Sequence, residues 1–310
     1  MIQSLINQLY RFPVSKWKTI QRFGGIISYR QMLRGKKEMI RASRNLPPII
    51  SYENGYKIYF LTGSDYLYQT LFCAFSLTKV SKTSFQFILV DDGSFDEQLK
   101  TQANKQMPGV VIVTKQQIDA NLSLKLPVAE FPYLHRKREV YPHIKKLTDI
   151  HTLTDNTYKL VLDSDMLFWS NPKEVISWLQ RPNGSLHMID CIESYGYSKE
   201  IMESLTGRDI PDSVNVGIIG MDSSRIIWTE LERWCMELEA KEGSSYFLEQ
   251  ALTTMLLATS KRKALNERSY IVNPENEDVL NGAGILHHYV DLSKASYFKN
   301  AFNVILNGIR

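Results

Sequence analysis

At residues 159–169 the sequence reads KLVLDSDMLFW, in which two acidic residues, Asp163 and Asp165, interrupt a run of apolar residues. With Tyr158 in front of it, the first half of this stretch is typical of a buried β-strand. The acidic pair follows at the point where the strand ends. Since ligands of open α/β sheets bind beyond the carboxyl ends of the strands, the stretch predicts both a sheet and the position of a site.

Strand and helix patterns alternate along the rest of the chain. Apolar runs predict strands at residues 56–61, 84–90, 110–113, 186–189, 213–221 and 285–289. Helical spacing of apolar residues predicts helices at residues 66–77, 140–153, 172–179, 226–241 and 244–257. This alternation is typical of an α/β fold in which a mostly parallel sheet is flanked by helices.

Residues 1–50 differ from the rest of the chain in charge. They contain ten cations and one acid, Glu38, which gives +9, so the remaining residues carry −5 of the total charge of +4. Gly24-Gly25 predicts a break between two short basic helices, and Pro47-Pro48 ends the segment. We therefore expect a basic amphipathic arm at residues 1–50, followed by one α/β domain at residues 51–310.

The charge of the arm favours an anionic partner surface. Cations interleaved with Phe12, Trp17 and Phe23 are typical of a helix that lies on an anionic membrane, and residues 1–45 would then form the contact. An arm that packs on the body or mediates dimerisation is the alternative. Nucleic acid is not expected as a partner, because no nucleic-acid-binding motif accompanies the charge.

The cysteines and the hydropathy of the chain bear on its location. Cys73, Cys191 and Cys235 are odd in number and lack metal-binding spacing, which favours reduced thiols in a cytosolic protein. Early cations interrupt the apolar residues of the N-terminus, so no cleavable leader is expected, and no run of about 18 apolar residues predicts a membrane span. We expect a cytoplasmic protein that the arm places at the inner face of the membrane.

The acidic pair requires a compensating charge. Two carboxylates at the edge of a sheet lose solvation and repel each other unless a cation neutralises them. Hard divalent cations such as Mg²⁺ or Mn²⁺ take oxygen ligands, commonly one or two carboxylates together with substrate phosphates. The pair therefore predicts a Mn²⁺ or Mg²⁺ site that binds a diphosphate. Alternatively, Asp163 or Asp165 closes a turn or caps a helix that begins near Asn171-Pro172.

Three short motifs follow one another in an order that resembles a known family. They are Asp163-Ser164-Asp165, Asn215-Val216-Gly217 and His288-Tyr-x-x-x-x-Lys294. In this order they resemble the glycosyltransferases of family eight, GT-A-fold enzymes that include bacterial lipopolysaccharide galactosyltransferases and glycogenin. The resemblance spans about residues 56–294. It implies a nucleotide-diphospho-sugar transferase with a UDP-sugar donor, a glycan or glycolipid acceptor and retention of anomeric configuration.

The resemblance also implies roles for individual residues. Asp163, Asp165 and His288 would bind Mn²⁺ or Mg²⁺, and an imidazole ligand suits Mn²⁺ better. The catalytic candidates, which would lie at the donor sugar, are Asn215, Glu249 and Gln250. Besides the acidic pair, the residues that would bind the nucleotide sugar are Thr62, Asp65, Asp92, Lys146 (or Lys145), Ser164, Gly217 and Lys294.

The chain departs from the family pattern at two places. Where the family has glycine three residues after the histidine, this chain has Asp291, and Ala295-Ser296 stand in place of Pro-Trp after the lysine. Glu249 replaces the aspartate of the family's Asp-Gln pair. These departures concern the phosphate and sugar contacts, and they leave open a related but separate GT-A family.

Most of these residues also have a purely structural interpretation. His287 and His288 point to opposite faces of a strand, so at most one is expected as a ligand, and a core histidine bonded to a carbonyl is the alternative. The other structural interpretations are a bulge for Asn215-Val216-Gly217, a solvated helix face for Glu249-Gln250, a surface charge for Lys294 and a turn for Asp91-Asp92-Gly93.

Two other functions remain as alternatives. A nucleotidyltransferase that makes sugar nucleotides would need a glycine-rich basic loop after the first strand, whereas residues 62–65 (TGSD) contain one glycine and no cation. A non-catalytic carbohydrate-binding protein would bind its ligand equally well without the two aspartates.

Overall fold

The computed structural model describes residues 12–308, with side chains from residue 16 onward. Its strands are β1 (Tyr56–Thr62), β2 (Phe85–Asp91), β3 (Val111–Val113), β4 (Tyr158–Leu162), β5 (Met166–Phe168), β6 (Ser185–Ile189), β7 (Val214–Asp222), β8 (Arg262–Ala264), β9 (Tyr270–Val272) and β10 (Leu286–His288). One sheet has the order β3-β2-β1-β4-β7-β6-β8, and a small sheet has the order β5-β10-β9.

The central sheet is mixed. β1 is parallel to β2 and β4, and β2 is parallel to β3. β7 runs antiparallel to both of its neighbours, β4 and β6, while β8 is parallel to β6. The expectation of a mostly parallel mixed sheet is therefore confirmed. Because β1, β2 and β4 run in one direction, their carboxyl ends meet at one edge, where Asp163 follows β4 and Asp92 follows β2.

The small sheet brings the C-terminal part of the chain to that same edge. β5 begins directly after the acidic pair, and β10 lies antiparallel to it with His288 opposite Met166. β9 flanks β10 in parallel on the other side. The pairing of β5 with β10 therefore carries His288 to the end of β4.

Helices cover both faces of the central sheet. They are α1 (Phe12–Arg22), α2 (Gly25–Ser43), α3 (Leu67–Val80), α4 (Glu97–Gln106), α5 (Lys115–Lys125), α6 (Pro132–Val140), α7 (Lys145–His151), α8 (Lys173–Gln180), α9 (Lys199–Thr206), α10 (Trp228–Glu242), α11 (Leu248–Ala258), α12 (Asn276–Asn281), α13 (Lys294–Ser296), a π-helix (Tyr297–Ala301) and α14 (Phe302–Asn307). Ile58 and Phe60 of β1 enter one apolar core, whereas Tyr59 enters the other, so each face of the sheet buries its own layer.

The structure differs from the predicted helices at several places. The predicted helix at 140–153 is divided, because α6 ends at Val140 and a 3₁₀ turn at Pro142–Ile144 precedes α7. Proline cannot donate the N–H that a continuous helix requires. The sequence does not predict α4 and α5. These helices bury few residues, so they lack the apolar periodicity on which helix prediction depends.

Two basic helices of the N-terminal segment, α1 and α2, lie within the described residues, whereas residues 1–11 of the predicted arm lie outside them. Gly24 separates the helices in the left-handed conformation, with a φ of 81°. The buried stripe of α2 consists of Met32, Gly35, Met39 and Ser43. At Gly35 the helix approaches the C-terminal π-helix closely. Across residues 12–308, no helix combines the length and apolar character needed to cross a bilayer.

Candidate functional site

The acidic pair and His288 converge at the carboxyl edge of the central sheet. The backbone N–H of Asp163 donates to the carbonyl of Gly217 at 2.8 Å, and that of Tyr289 donates to the carbonyl of Asp165 at 2.9 Å. These bonds tie the turn after β4 to β7 and to the end of β10. As a result, Nε2 of His288 lies 3.3 Å from Oδ1 of Asp165 and 3.7 Å from Oδ2 of Asp163.

The chemistry of this cluster fits a divalent metal ion. One ligand atom from each of Asp163, Asp165 and His288 lies within 4.8 Å of the others. Carboxylate oxygens suit both Mg²⁺ and Mn²⁺, and an imidazole nitrogen favours Mn²⁺. Burial would raise the pKa of Asp165, but the neighbouring imidazole of His288 and the nearby Lys294 lower it to about 2, so this carboxylate is ionised at neutral pH. The helix-capping alternative is wrong, since the N-cap of α8 is Pro172.

Lys146 is the less exposed of the two cations at the site, with 11% of its side chain exposed. Its Nζ donates to Oδ1 of Asp163 at 2.8 Å and to the carbonyl of Val216 at 3.0 Å, and it lies 3.6 Å from Oε1 of Glu249. Burial alone would lower the pKa of this amine, but the two carboxylates outweigh burial and raise the pKa. Lys146 therefore neutralises Asp163 from the protein side, while Asp163 and Asp165 keep 25% and 20% of their side-chain surface exposed.

Lys294 supplies a second, more exposed cation. Its Nζ lies 3.4 Å from Oδ2 of Asp165. The chain reaches this lysine through Asp291, which has a φ of 47°. The left-handed region favours glycine, and aspartate is among the residues that adopt it more readily than most. The carboxylate of Asp291 also binds Arg22 of α1 at 2.5 Å.

The three catalytic candidates lie beside the charged cluster. Oδ1 of Asn215 is 2.9 Å from Nδ1 of His288. Glu249 and Gln250 stand in the first turn of α11 and are only 6% and 8% exposed, so the interpretation of this pair as a solvated helix face is wrong. Burial raises the pKa of Glu249, although Lys146 opposes that effect.

Asp190 belongs to the same cluster, although it is not among the predicted residues. Its Oδ2 accepts from Nδ2 of Asn215 at 3.0 Å and lies 3.4 Å from Nε2 of Gln250. Asp190 directly follows β6, which runs in the same direction as β4, so both strands end at the same edge. The signal that identifies Asp163, an acid immediately after a predicted strand, could therefore have identified Asp190 as well.

Comparisons with known proteins agree with this architecture. No family model and no curated protein sequence matches the chain. Among solved structures, the galactosyltransferase LgtC in complex with donor and acceptor sugar analogs is similar, with a TM-score of 0.52 at 16% identity over 80% of this chain and 95% of that chain. The mouse xyloside xylosyltransferase 1 in its apo form has a TM-score of 0.50 at 12% identity over 78% and 98% of the two chains.

A third similar structure is the apo bifunctional glycosyltransferase WbbM, with a TM-score of 0.50 at 11% identity over 84% of this chain and 52% of that chain. The chain has a GT-A fold. This likeness confirms the predicted fold class, while chemistry and substrate have to be argued from the site itself.

In this GT-A fold, several predicted nucleotide-binding residues lie at the ends of β1, β2 and β4. Oγ1 of Thr70 links Oγ1 of Thr62 to Oγ of Ser164, with both distances at 2.8 Å. The N–H of Asp92 donates to the carbonyl of Thr62 at 3.0 Å. Lys145, the alternative to Lys146, donates to the carbonyl of Asp92 at 2.6 Å. The structure therefore brings these residues to one rim. Lys145 contacts the turn after β2, whereas Lys146 contacts Asp163.

The remaining rim residues differ in how firmly they are held. Oδ1 of Asp91 accepts the N–H groups of Gly93 and Phe95 at 2.7 and 3.1 Å, which confirms the predicted turn. Asp65 is exposed in the loop after β1, next to the exposed Tyr66. The turn therefore gives the rim a defined shape beside β2.

His287 is a core residue of this fold. Its Nε2 lies 2.7 Å from the carbonyl oxygen of Ala283, and its Nδ1 lies 3.1 Å from the hydroxyl of Tyr289. The ring centroid is 4.9 Å from that of Trp169. Burial lowers the pKa of His287 to about 4, which keeps the ring neutral. The expectation that at most one of the two adjacent histidines serves as a ligand agrees with this arrangement.

Proposed function

We propose that this chain is a metal-dependent glycosyltransferase that moves a sugar from a nucleotide-diphosphate sugar, a UDP-sugar, to a glycan or glycolipid acceptor. The observation that carries the proposal is the convergence of Asp163, Asp165 and His288 at the ligand-binding edge of a GT-A fold. LgtC, which shares this fold, was solved with donor and acceptor sugar analogs. Membership of glycosyltransferase family eight is part of the proposal.

The charges of the site suit a diphosphate leaving group. Cleavage of a sugar–phosphate bond builds negative charge on the diphosphate and positive charge on the anomeric carbon. A divalent metal held by Asp163, Asp165 and His288 would supply Lewis-acid stabilisation of the diphosphate. Lys294, partly exposed beside Asp165, would bind the same group as a point charge. Lys146 holds the carboxylate of Asp163 in place.

The residues behind this cluster would bind the donor sugar. Asn215, Gly217, Glu249 and Gln250 line that side, with Asp190 between the two amides. Glu249 is engaged by Lys146, and the amide of Gln250 is a weak nucleophile. We therefore propose retention of configuration through front-face attack within a short-lived ion pair. A product of inverted configuration would contradict this mechanism.

The rim at β1 and β2 would hold the nucleoside. The residues proposed for the uridine and ribose are Thr62, Asp65, Asp92 and Ser164. A triphosphate suits this rim poorly, because the carboxylate of Asp92 lies directly against Gly63 in the loop after β1. A Cβ built at Gly63 would be only 2.0 Å from Oδ1 of Asp92. An acid so close to the loop would repel a triphosphate. This contact argues against a nucleotidyltransferase.

A donor screen tests the proposed function. Purified protein with Mn²⁺ is expected to release nucleoside diphosphate from a UDP-sugar, slowly with water and faster with a suitable acceptor. A chelator should abolish this release, and added Mn²⁺ should restore it. Release of pyrophosphate from a nucleoside triphosphate would instead indicate a nucleotidyltransferase. Sugar binding that is unaffected by chelation and leads to no turnover would indicate a non-catalytic carbohydrate-binding protein.

We also propose a division into a basic arm at residues 1–50 and a transferase domain at 51–310, in a cytoplasmic protein whose residues 1–45 contact the anionic inner face of the membrane. The exposed face of α2, opposite its buried stripe, carries Arg30, Arg34, Lys37 and Arg41, and the exposed Arg44 is its C-cap residue. Exposed apolar side chains accompany these cations, namely Trp17, Ile26 and Ile27. Cations beside exposed apolar residues are typical of a helix at a membrane interface.

Replacing Arg30, Arg34, Lys37 and Arg41 by Gln is expected to weaken binding to phosphatidylglycerol vesicles at least tenfold, since each cation near an anionic surface contributes about 1 kcal/mol. Co-sedimentation with vesicles measures the change, and phosphatidylcholine vesicles give the uncharged reference. The matched control neutralises four exposed cations outside the arm, Lys105, Lys115, Lys125 and Arg268. Equal losses in both variants, or no loss in the arm variant, would contradict the proposal.

A further inference from the structure

The side-chain amide of Asn215 is held in one orientation. Its Oδ1 accepts the backbone N–H of Gly217 at 2.9 Å, and a backbone N–H can only donate. Its Nδ2 donates to Oδ2 of Asp190 at 3.0 Å, and an ionised carboxylate can only accept. Because each end of the amide meets a partner with a single role, the oxygen must lie on the side of Gly217.

The orientation of Asn215 determines the tautomer of His288. Nδ1 of His288 lies 2.9 Å from the same Oδ1. Since an amide oxygen has no proton to donate, Nδ1 must carry the hydrogen. A neutral imidazole has one N–H, so Nε2 keeps its lone pair. This is the nitrogen that lies 3.3 Å from Asp165 and 3.7 Å from Asp163.

We propose that Asp190 and Asn215 are positioning residues that hold His288 as the Nδ1–H tautomer and thereby present Nε2 to the metal ion. In free neutral histidine the Nε2–H tautomer predominates, so the site reverses the intrinsic preference of the ring. A hydrogen bond to the distal nitrogen of a metal-binding histidine also fixes the orientation of the ring and raises its basicity. The inference rests on the proposed metal site and is independent of the sugar and of the reaction.

Gly217 provides the space for this contact. The register of β7 against β6 shifts between Ile219 and Asn215, and this bulge brings Gly217 next to the side chain of Asn215. A Cβ at Gly217 would lie 2.5 Å from Nδ1 of His288 and 2.9 Å from Oδ1 of Asn215. A side chain at this position would push the imidazole away from the amide. The Asn-x-Gly spacing thus combines a hydrogen-bond acceptor with the room that the ring needs.

Nuclear magnetic resonance measures the tautomer directly. Long-range proton–nitrogen correlation spectra are recorded on the chelator-treated full-length protein with isotope-labelled histidine, at a pH high enough that the imidazole signals no longer change with pH and the rings are neutral. The chain has 6 histidines, and the signals of His288 are those lost in His288→Gln. The wild-type protein is expected to show the Nδ1–H form. The Nε2–H form in the wild type would overturn the proposal.

Variants then test the two positioning residues. Asn215→Leu removes the amide at similar volume, and it is expected to shift His288 towards the Nε2–H form and to weaken binding of Mn²⁺ alone by about 10- to 100-fold in calorimetry. An unchanged tautomer with unchanged affinity would overturn the proposal. Asp190→Asn can still accept from Asn215 and should preserve the tautomer, whereas Asp190→Leu should not. If Asn215→Leu does not fold, the comparison of Asp190→Asn with Asp190→Leu tests the proposal instead.

The failure of this inference is distinguishable from the failure of the proposed function. Sugar transfer with Mn²⁺ by a protein whose His288 is in the Nε2–H form would support the proposed transferase activity and contradict the positioning role of Asp190 and Asn215. An Nδ1–H histidine and Mn²⁺ binding that depends on Asn215, without turnover of any donor, would support the positioning role and reject the transferase. A wild-type protein that does not bind Mn²⁺ would reject both.

Discussion

The Asp165→Asn variant is expected to lose at least about a thousandfold in turnover of its nucleotide-sugar donor. A neutral amide is a much weaker ligand for a hard cation than a carboxylate. Metal ions contribute several kcal/mol to the stabilisation of transition-state charge, and about 4 kcal/mol corresponds to roughly a thousandfold in rate. The pKa of Asp165, lowered to about 2, means that the wild-type residue is ionised under any ordinary assay condition.

The same variant should also bind the nucleotide differently. Calorimetry with UDP is expected to show weak affinity that no longer depends on Mn²⁺, whereas the wild type should bind more tightly when Mn²⁺ is present. The matched control is Asp222→Asn, because Asp222 pairs with Tyr158 at the opposite edge of the sheet. Asn at this position can still cap the N–H of Ser224. Metal-dependent UDP binding of wild-type strength in Asp165→Asn would contradict the assignment of the metal site.

The part of the site that could be predicted from sequence lies within one continuous segment. A buried strand that ends in two acids is a local pattern, and the edge at which it ends follows from the direction of a parallel sheet. For this reason the positions of Asp163 and Asp165 agree with the prediction. Short motifs later in the chain also pointed to Asn215 and His288, although only the structure shows that their side chains touch.

The rest of the site depends on pairings between distant segments. β5 and β10 are three residues each, and the register that places His288 opposite Met166 leaves no periodic signal in the sequence. The choice between Lys145 and Lys146 depends on where α7 begins after the proline turn, and the sequence alone left both open. Similarly, the burial of Glu249 depends on how α11 meets the sheet, which its local pattern does not reveal.

The N-terminal helices and the C-terminal segment form a packed unit beside this site. Beyond the close approach at Gly35, Nζ of Lys299 in the π-helix donates to Oγ of Ser28 in α2 at 2.8 Å. The π-helix begins three residues after Lys294, the lysine that lies beside Asp165. A displacement of α2 should therefore reach the segment that carries this lysine.

Gly35→Ala is expected to destabilise the protein, which is the opposite of what helix propensity predicts. Alanine is about 1 kcal/mol more favourable than glycine in a helix interior. A Cβ at Gly35, however, would lie 1.8 Å from the carbonyl oxygen of Phe298 and 2.7 Å from its carbonyl carbon. Because these are backbone atoms that cannot rotate away, α2 must shift, and overpacking of this kind costs about 1–3 kcal/mol. A contact of 1.8 Å places the cost at the upper end of this range, so a net loss of about 2 kcal/mol remains after the gain in helix propensity, and the thermal unfolding midpoint should fall by about 4 °C.

Thermal unfolding followed by circular dichroism measures this change, with Gln31→Ala on the exposed side of the same helix as the control. The control should stay within about 0.5 kcal/mol of the wild type, because it alters no packed contact. Gly35→Ala should also weaken UDP binding in the presence of Mn²⁺, since the shift is transmitted to the segment of Lys294. A midpoint equal to or above that of the wild type would mean that α2 does not pack on the π-helix, and residues 12–43 would then act as a detached arm.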